Sequence, residues 1–142
     1  MKTSANGIQF IKQFEGFSSK PYPDSAGKST IGYGHLIKDG ESFDTISEDD
    51  ALAFLASDLA WAETVVNRDV LVTINQNQFD ALVDFVYNVG SANFRNSHLL
   101  ATLNEDNYDA AADELLMWDH AGGVEVAGLE RRRKAERDLF LS

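Results

Sequence analysis

Glu15 is a candidate for acid–base chemistry because of its place in a helical pattern. Ile8 and Ile11 mark an apolar stripe, and Glu15 continues that stripe at position i+7 from Ile8. An acid on a core-facing stripe is partly removed from water, which favours the protonated form that a general acid needs. The same spacing also fits a glutamate in a last helical turn that faces solvent, and the pattern leaves both interpretations open.

Asp24 lies in a segment that predicts a turn, Pro23-Asp-Ser-Ala-Gly27. Proline presets one backbone dihedral, aspartate can accept from neighbouring amides, and Gly27 tolerates a positive φ. Asp24 is therefore expected to stay solvated and ionised.

Thr30 follows this turn in a segment over 28–35 that alternates like a strand. It shares one face of that strand with Gly32 and Gly34, and a strand face without side chains indicates close approach by a ligand or another backbone. A hairpin here would bring Thr30 back towards Asp24. The alternative is a glycine-weakened edge hairpin in which Thr30 has no function.

Glu15, Asp24 and Thr30 stand within Phe-Glu-Gly and Thr-Ile-Gly-Tyr-Gly-His, and their types and spacings resemble the catalytic triad of phage-type lysozymes. These are the endolysin muramidases of glycoside hydrolase family 24. The resemblance implies that Glu15 protonates the leaving glycosidic oxygen, Asp24 is the opposing carboxylate and Thr30 helps to hold the attacking water. It also implies inversion at the anomeric carbon, which needs a gap of roughly 6.5–9.5 Å between the carboxylates.

The implied reaction is hydrolysis of the β-1,4 bond between N-acetylmuramic acid and N-acetylglucosamine in the glycan strand of bacterial peptidoglycan, without a cofactor. Two alternatives remain. A lytic transglycosylase also uses a glutamate acid, but it needs no water-directing carboxylate, so Asp24 and Thr30 argue against it. A non-catalytic wall-binding module would keep the fold without the chemistry, and the intact triad argues against that.

The resemblance extends to residues 78–90 and to Asn93-Phe-Arg-Asn-Ser97. It places Leu36, Tyr87 and Ser97 where members of the family contact the saccharide. Each has a structural alternative, since Tyr87 could only pack, Ser97 could only cap a helix, and Leu36 could only close the small lobe.

A C-terminal arginine and one histidine also resemble family positions. In related enzymes an arginine of this region pairs with the catalytic glutamate, and Arg131, Arg132 and Arg133 are equal candidates for it; alternatively, all three line a solvated helix face. His35 resembles a histidine that anchors the small lobe by pairing with an acid. Because strand alternation turns His35 away from Thr30, we predict a structural role for it.

The predicted fold class is α+β, lysozyme-like, in a single domain over residues 1–142. A long helix is expected to join a small N-terminal β-lobe to a larger helical lobe, with the substrate cleft between the lobes. The predicted parts are a helix over 5–16 docked on the helical lobe, a β-lobe over about 17–46 with a third strand near 41–45, a linking helix over about 48–67, and a helical lobe over about 68–142. Within that lobe we predict helices over 78–90, 98–104 and 107–117 and from 128 onward, with a flexible loop at Ala121-Gly-Gly123.

Composition limits the classes of partner. The chain has 142 residues, no cysteine and a net charge of −11, with two Arg and sixteen acids between residues 44 and 127. Nucleic-acid binding is not expected, because it depends on clustered Lys and Arg. The sequence has no His/Cys cluster and no calcium-loop pattern, so it predicts no metal site. It also has no glycine-rich phosphate-binding loop.

The expected location follows from the N-terminal sequence. Met1-Lys-Thr-Ser-Ala-Asn-Gly lacks the features of a secretory signal, and no apolar run has the length of a membrane span. We therefore expect the protein to stay in the host cytoplasm until it is released to the periplasm and cell wall. We also expect it to be a monomer. The resemblance implies that this release occurs through a holin-like pore.

Overall fold

The computed structural model describes residues 1–121 and 123–142, which divide into two compact units. One unit is Ile8–Ala60, and the other combines Met1–Gly7 with Trp61–Ser142. The described helices are α1 (Ala5–Glu15), α2 (Glu48–Asp58), α3 (Ala60–Asp69), α4 (Gln76–Val89), α5 (Ser91–Arg95), α6 (His98–Asn104), α7 (Tyr108–Leu115) and α8 (Ala127–Leu141). The described strands are β1 (Ser18–Pro23), β2 (Ser29–Gly32), β3 (His35–Leu36), β4 (His120–Ala121) and β5 (Val124–Glu125). In this part of the chain, no helix combines the length and apolar character needed to cross a bilayer.

The unit over residues 8–60 contains an antiparallel sheet in the order β1-β2-β3. Thr30 lies opposite Tyr22 on β1 and opposite Leu36 on β3. The predicted hairpin between residues 24 and 34 is therefore confirmed. Mixed helix and small sheet is also the fold class that the sequence predicted.

The second reversal of this sheet differs from the prediction. Gly32 and Gly34 take φ values of +67° and +87°, which other residues adopt only with strain, and the chain turns back between β2 and β3. The predicted strand over 28–35 therefore ends at Gly32. The third strand is His35–Leu36, and the prediction of a strand near 41–45 is wrong.

Helix α2 packs on β2 and closes the core of this unit. Ile31, Ala51 and Leu55 are buried at 0–1% exposure. An added Cβ at Gly32 would lie 3.0 Å from the Ala51 Cβ, so the glycine allows the strand to approach the helix closely. Ser47 begins α2 with a capping box, since its side chain accepts from the Asp50 amide while the Asp50 side chain accepts from the Ser47 amide.

The single helix predicted over 48–67 is divided at Leu59. This residue ends α2 by donating its N–H to the Leu55 carbonyl, and α3 begins at Ala60. No proline or glycine lies in this stretch, and the apolar residues keep helical spacing across the break. The sequence therefore carried no local signal for the interruption.

The other unit is built around α4, which packs against α8. Every residue from Phe79 to Val86 is buried, including Asp80 and Asp84, as expected for a helix that is covered on all sides. Asn75 caps the helix in a second capping box with Gln78. The prediction of a core helix here is confirmed, and the same unit also buries Phe94, Leu99, Leu103, Leu115 and Phe140.

The first seven residues belong to this second unit because Asp80 holds them. Its carboxylate accepts from the Ser4 hydroxyl, and from the Ser4 amide at 3.1 Å. An added Cβ at Gly7 would lie 2.6 Å from the Asp80 Cγ, so only glycine fits there. The division of the chain thus falls within α1.

The predicted loop at 121–123 includes Gly122, which lies outside the described residues. On either side of it, β4 and β5 pair antiparallel, with Ala121 opposite Val124. The short helix α5 was not predicted separately from α6.

Tyr33 provides a test of packing in the first unit. Its side chain is buried, and its hydroxyl donates to Glu48 Oε1 at 2.7 Å. Burial, together with the bond to the Glu48 carboxylate, raises the pKa of Tyr33 from 10.0 to about 12. The folded state therefore holds this proton more tightly than the unfolded chain, so the contribution of Tyr33 to stability is complete below pH 10 and is lost as the pH rises through 12.

Tyr33→Phe is expected to be less stable than the parent protein near neutral pH, and the difference is expected to shrink as the pH approaches 12, where the parent loses this contribution. Urea unfolding of both proteins at about pH 8 and about pH 11.5 measures the two differences. A difference of equal size at both pH values would contradict the assignment.

Candidate active site

Glu15 is the last residue of α1, and the chain leaves the helix through Gly16 at φ +67°. Its side chain is partly buried. An added Cβ at Gly34 would lie 3.6 Å from Glu15 Oε2, so the carboxylate lies against the turn between β2 and β3. Phe17, two residues further along the chain, is 46% exposed.

Asp24 organises the turn between β1 and β2. Its Oδ1 accepts from the amides of Ala26 at 2.9 Å and Lys28 at 2.8 Å, while Gly27 takes φ +79°. The prediction that Asp24 bonds neighbouring amides is confirmed. Among the described residues, Oδ2 accepts no hydrogen bond, so it remains available to an external donor.

The Lys28 carbonyl connects Asp24 to Thr30. This oxygen accepts from the Asp24 amide at 2.8 Å and from the Thr30 hydroxyl at 3.0 Å. Thr30 is 2% exposed, which fixes its side chain at the base of the hairpin. The hairpin therefore brings the Asp24 backbone and the Thr30 hydroxyl, six positions apart in the sequence, to one carbonyl oxygen.

His35 has the structural role that the sequence predicted. It lies opposite Ile31 on β2 and so faces away from Thr30, and its Nδ1 lies 2.8 Å from Asp58 Oδ2. The imidazole is buried and stacks on Phe54 with ring centroids 4.7 Å apart. An ion pair between its Nε2 and Glu41 at 3.5 Å adds to a backbone bond from Lys38, and together they lower the pKa of Glu41, with the Lys38 bond the larger cause.

The three predicted saccharide-contact residues lie in different settings. Leu36 is 45% exposed on β3, directly opposite Thr30. Tyr87 on α4 is partly buried and packs beside Trp61, with ring centroids 6.1 Å apart. Ser97 is buried and caps α6, since its hydroxyl accepts from the Leu100 amide and donates to the Phe94 carbonyl.

The C-terminal arginines do not share one environment. Arg131 is exposed, whereas Arg132 and Arg133 are buried, so the alternative that all three line a solvated face is wrong. Arg132 donates two hydrogen bonds to the Asp84 carboxylate, from Nε at 3.1 Å and from Nη2 at 2.7 Å. Arg133 Nη2 donates to Glu136 Oε1 at 2.7 Å and its guanidinium lies over the Phe85 ring.

Sequence reasoning missed Asp84 and Glu136 as members of this cluster. The available signal was an acid inside the apolar run of α4 that follows Asp80 at i+4, where burial demands a cationic partner. Burial, together with the neighbouring Asp84, raises the pKa of Glu136 well above the usual range of a glutamate. Among the described residues, no group of three or more His, Asp or Glu is arranged to hold a metal ion.

The chain is similar to known proteins over its whole length. The family model described as phage lysozyme matches residues 12–136. An endolysin of Salmonella phage P22 is 44% identical over 146 residues, which cover 100% of this chain and 99% of that protein. The chain belongs to the phage lysozyme family.

Two further proteins show how much of this chain and of its relatives the similarity covers. An endolysin of Bacillus phage B103 is 42% identical over 144 residues, which cover 100% of this chain but 55% of that relative. A crystal structure of a P22 lysozyme mutant has a TM-score of 0.93 at 43% identity and covers 100% of this chain and 99% of that one. As a member of the phage lysozyme family, the chain is a glycoside hydrolase of the lysozyme type.

The buried pair of Arg132 and Asp84 is expected to be essential to the stability of this phage lysozyme. Asp84→Ala removes the carboxylate that accepts two hydrogen bonds from the buried Arg132, which should lower the free energy of unfolding by about 3–5 kcal/mol. Urea unfolding monitored by circular dichroism measures the loss.

The matched control is Asp113→Ala, which removes the partner of Arg137 in a pair whose side chains are 35% and 63% exposed. A solvated pair contributes about 0–1 kcal/mol, so this change should have little effect. Equal losses in both variants would contradict the role given to burial.

Proposed function

We propose that this lysozyme hydrolyses the β-1,4 bond between N-acetylmuramic acid and N-acetylglucosamine with inversion, using Glu15, Asp24 and Thr30. The observation that supports it most is the Lys28 carbonyl, which accepts hydrogen bonds from both Asp24 and Thr30. This shared acceptor keeps a carboxylate and a hydroxyl at one end of the hairpin. Glu15 approaches the same sheet at its other turn, beside Gly34.

Glu15 is the proposed general acid. It donates its proton to the glycosidic oxygen as the bond from that oxygen to the anomeric carbon breaks, which gives the departing sugar a neutral hydroxyl. Its place at the end of α1, with the carboxylate against the turn between β2 and β3, supports this role.

Asp24 is the proposed general base, acting through a water molecule. Asp24 Oδ1 is engaged by two amides, which leaves Oδ2 to accept a proton from water. The Thr30 hydroxyl donates its hydrogen to the Lys28 carbonyl, so its oxygen can act as an acceptor. It can accept the other hydrogen of the same water molecule. The water oxygen then bonds to the anomeric carbon on the face opposite the leaving group, and the configuration inverts.

Leu36 and Tyr87 are proposed saccharide contacts. Exposure of Leu36 opposite Thr30 supports the first, and the partly exposed aromatic pair of Tyr87 and Trp61 supports the second. Ser97 also stays in the proposal on the family resemblance, although its hydroxyl already bonds Leu100 and Phe94.

We also propose that the enzyme acts as a monomer and passes from the host cytoplasm to the cell wall through a holin-like pore. The family resemblance supports this route. Fractionation of host cells that express the chain with and without a holin tests it, and wall degradation of equal extent in both strains would contradict it.

Substitution of the triad is expected to separate chemistry from folding. Glu15→Gln keeps the shape of the side chain but lacks the proton, so the rate of release of reducing sugar ends from purified cell walls should fall by about 10²–10⁴. The rate for Asp24→Asn should fall by a similar factor, because the amide cannot accept the proton from water. Thr30→Val should be much less active than Thr30→Ser, which keeps the hydroxyl. Parent-like activity in Glu15→Gln would overturn the assignment, provided that thermal melts show folded protein.

The stereochemistry of the product tests the water-mediated step. Proton NMR of the first products from a soluble glycan oligomer should show the α-anomer before mutarotation, because the scissile bond is β. A first-formed β-anomer would indicate a covalent or otherwise retaining route. Anhydro-muramyl ends, lighter by one water in mass spectra, would indicate a lytic transglycosylase instead.

A further inference from the structure

Glu48, the first residue of α2, connects two other elements of the unit over residues 8–60 through one carboxylate oxygen. Its Oε1 accepts from the Tyr33 hydroxyl at 2.7 Å and from Lys12 Nζ at 3.3 Å. Lys12 lies in the last turn of α1, and Tyr33 lies in the turn between β2 and β3. The end of α1 and this turn are therefore bonded to the same point at the start of α2.

The two elements that Glu48 connects also meet at Glu15. Glu15 follows Lys12 by three residues on α1, so the two side chains are neighbours on the surface of the helix. Gly34 directly follows Tyr33, and an added Cβ at this glycine would lie 3.6 Å from Glu15 Oε2. The Glu15 carboxylate thus lies between the two segments that Glu48 holds.

The turn between β2 and β3 gives this connection a rigid side. Tyr33 is 5% exposed and stands between Gly32 and Gly34, whose φ values are +67° and +87°. Phe17, just beyond the end of α1, packs beside the Tyr33 ring with centroids 5.4 Å apart. The Tyr33 hydroxyl is therefore a fixed donor rather than one that samples many positions.

The acceptor in this connection is charged. The hydrogen bond from Tyr33, together with the bond and the charge of Lys12, lowers the pKa of Glu48, so the carboxylate is ionised at neutral pH. Hydrogen bonds to an ionised acceptor are shorter and stronger than those between neutral groups. The Lys12 pair is partly exposed and adds little to stability, so its main effect is on position.

We propose that Glu48 is a positioning residue for the general acid. Through Lys12 and Tyr33 it holds the last turn of α1 against the turn between β2 and β3, so that the Glu15 carboxyl meets the glycosidic oxygen. The inference rests on the proposed function, because it requires that Glu15 donates the proton. A displacement of about 1 Å in a catalytic group can lower the rate by about 10², even when the change that causes it is remote from the reaction.

The leaving group separates this role from a general effect on the fold. Asp24 and Thr30 are held by the Lys28 carbonyl, so a change at Glu48 should spare the attack by water. A departing sugar needs the proton of Glu15, whereas dinitrophenolate departs as a stable anion without it. Loss of positioning should therefore slow only the substrate that needs the proton.

The test compares a glycan oligomer of peptidoglycan with a dinitrophenyl β-glycoside of the same glycan. For Glu48→Ala, kcat on the oligomer should fall about tenfold, which is part of the 10²–10⁴ that a general acid contributes. Its kcat on the dinitrophenyl glycoside should change by less than about twofold. Glu48→Gln keeps an acceptor for Tyr33 and loses only the charge that pairs with Lys12, so its selective loss should be about threefold.

Asp49→Ala is the matched control. It removes one acid from the same exposed first turn of α2, and both rates should change by less than about twofold. Thermal melts check that each variant is folded at the assay temperature. If Glu48→Ala does not fold, the selective loss in Glu48→Gln decides the question.

Glu15→Gln, measured on both substrates, distinguishes failure of this inference from failure of the proposed function. Selective loss in Glu15→Gln, with equal loss on both substrates or no loss in the folded Glu48 variants, would overturn the positioning role alone. Equal loss on both substrates in Glu15→Gln would overturn the general acid and the positioning role together. A selective loss in Asp49→Ala as large as that in Glu48→Ala would also refute the inference, because it would assign the effect to the charge of the helix end.

Discussion

The geometry of the candidate site depends on one hydrogen-bond acceptor, the carbonyl oxygen of Lys28. It receives the amide of Asp24 and the hydroxyl of Thr30, so closing the β1–β2 hairpin and assembling half of the site are the same event. Since Thr30 is buried and its hydrogen is engaged, its oxygen is held in one place rather than sampling rotamers in solvent. A small three-stranded sheet can therefore position candidate catalytic groups that would be mobile on an ordinary loop.

The helical unit buries a cluster of charged side chains. Asp84, Arg132, Arg133 and Glu136 all lie between α4 and α8 with little or no exposure. Removing charged groups from water is costly, so such a cluster persists only where hydrogen bonds and opposite charges offset the cost. Asp84 and Arg132 meet this condition through two hydrogen bonds, whereas Arg133 is only partly satisfied. Two neighbouring buried arginines of α8 therefore differ in how fully their donors are hydrogen-bonded.

Many acidic residues of this strongly acidic chain lie where a helix dipole or a cationic side chain compensates their charge. Acids of the first turn of α2 lie where the helix dipole favours them, and others pair with His35 or with buried arginines. Arg133, in the described helical cluster, donates through Nη2 to Asn88 and Glu136. These acids therefore stabilise the fold locally, through the helix dipole or through ion pairs.

The sequence by itself determined the features that depend on neighbours a few residues apart: the capping boxes at Ser47 and Asn75, the Asx turn at Asp24, and the apolar face of α4. Only the tertiary structure decided the reversal at Gly32 and Gly34, the break at Leu59, and the burial of Arg132 and Arg133. Arg132 meets Asp84 across 48 positions, and Gly32 faces Ala51 on another element. Periodicity tells which side of an element is apolar, but it does not tell which distant side chain will cover a charge, because that depends on how separate elements pack.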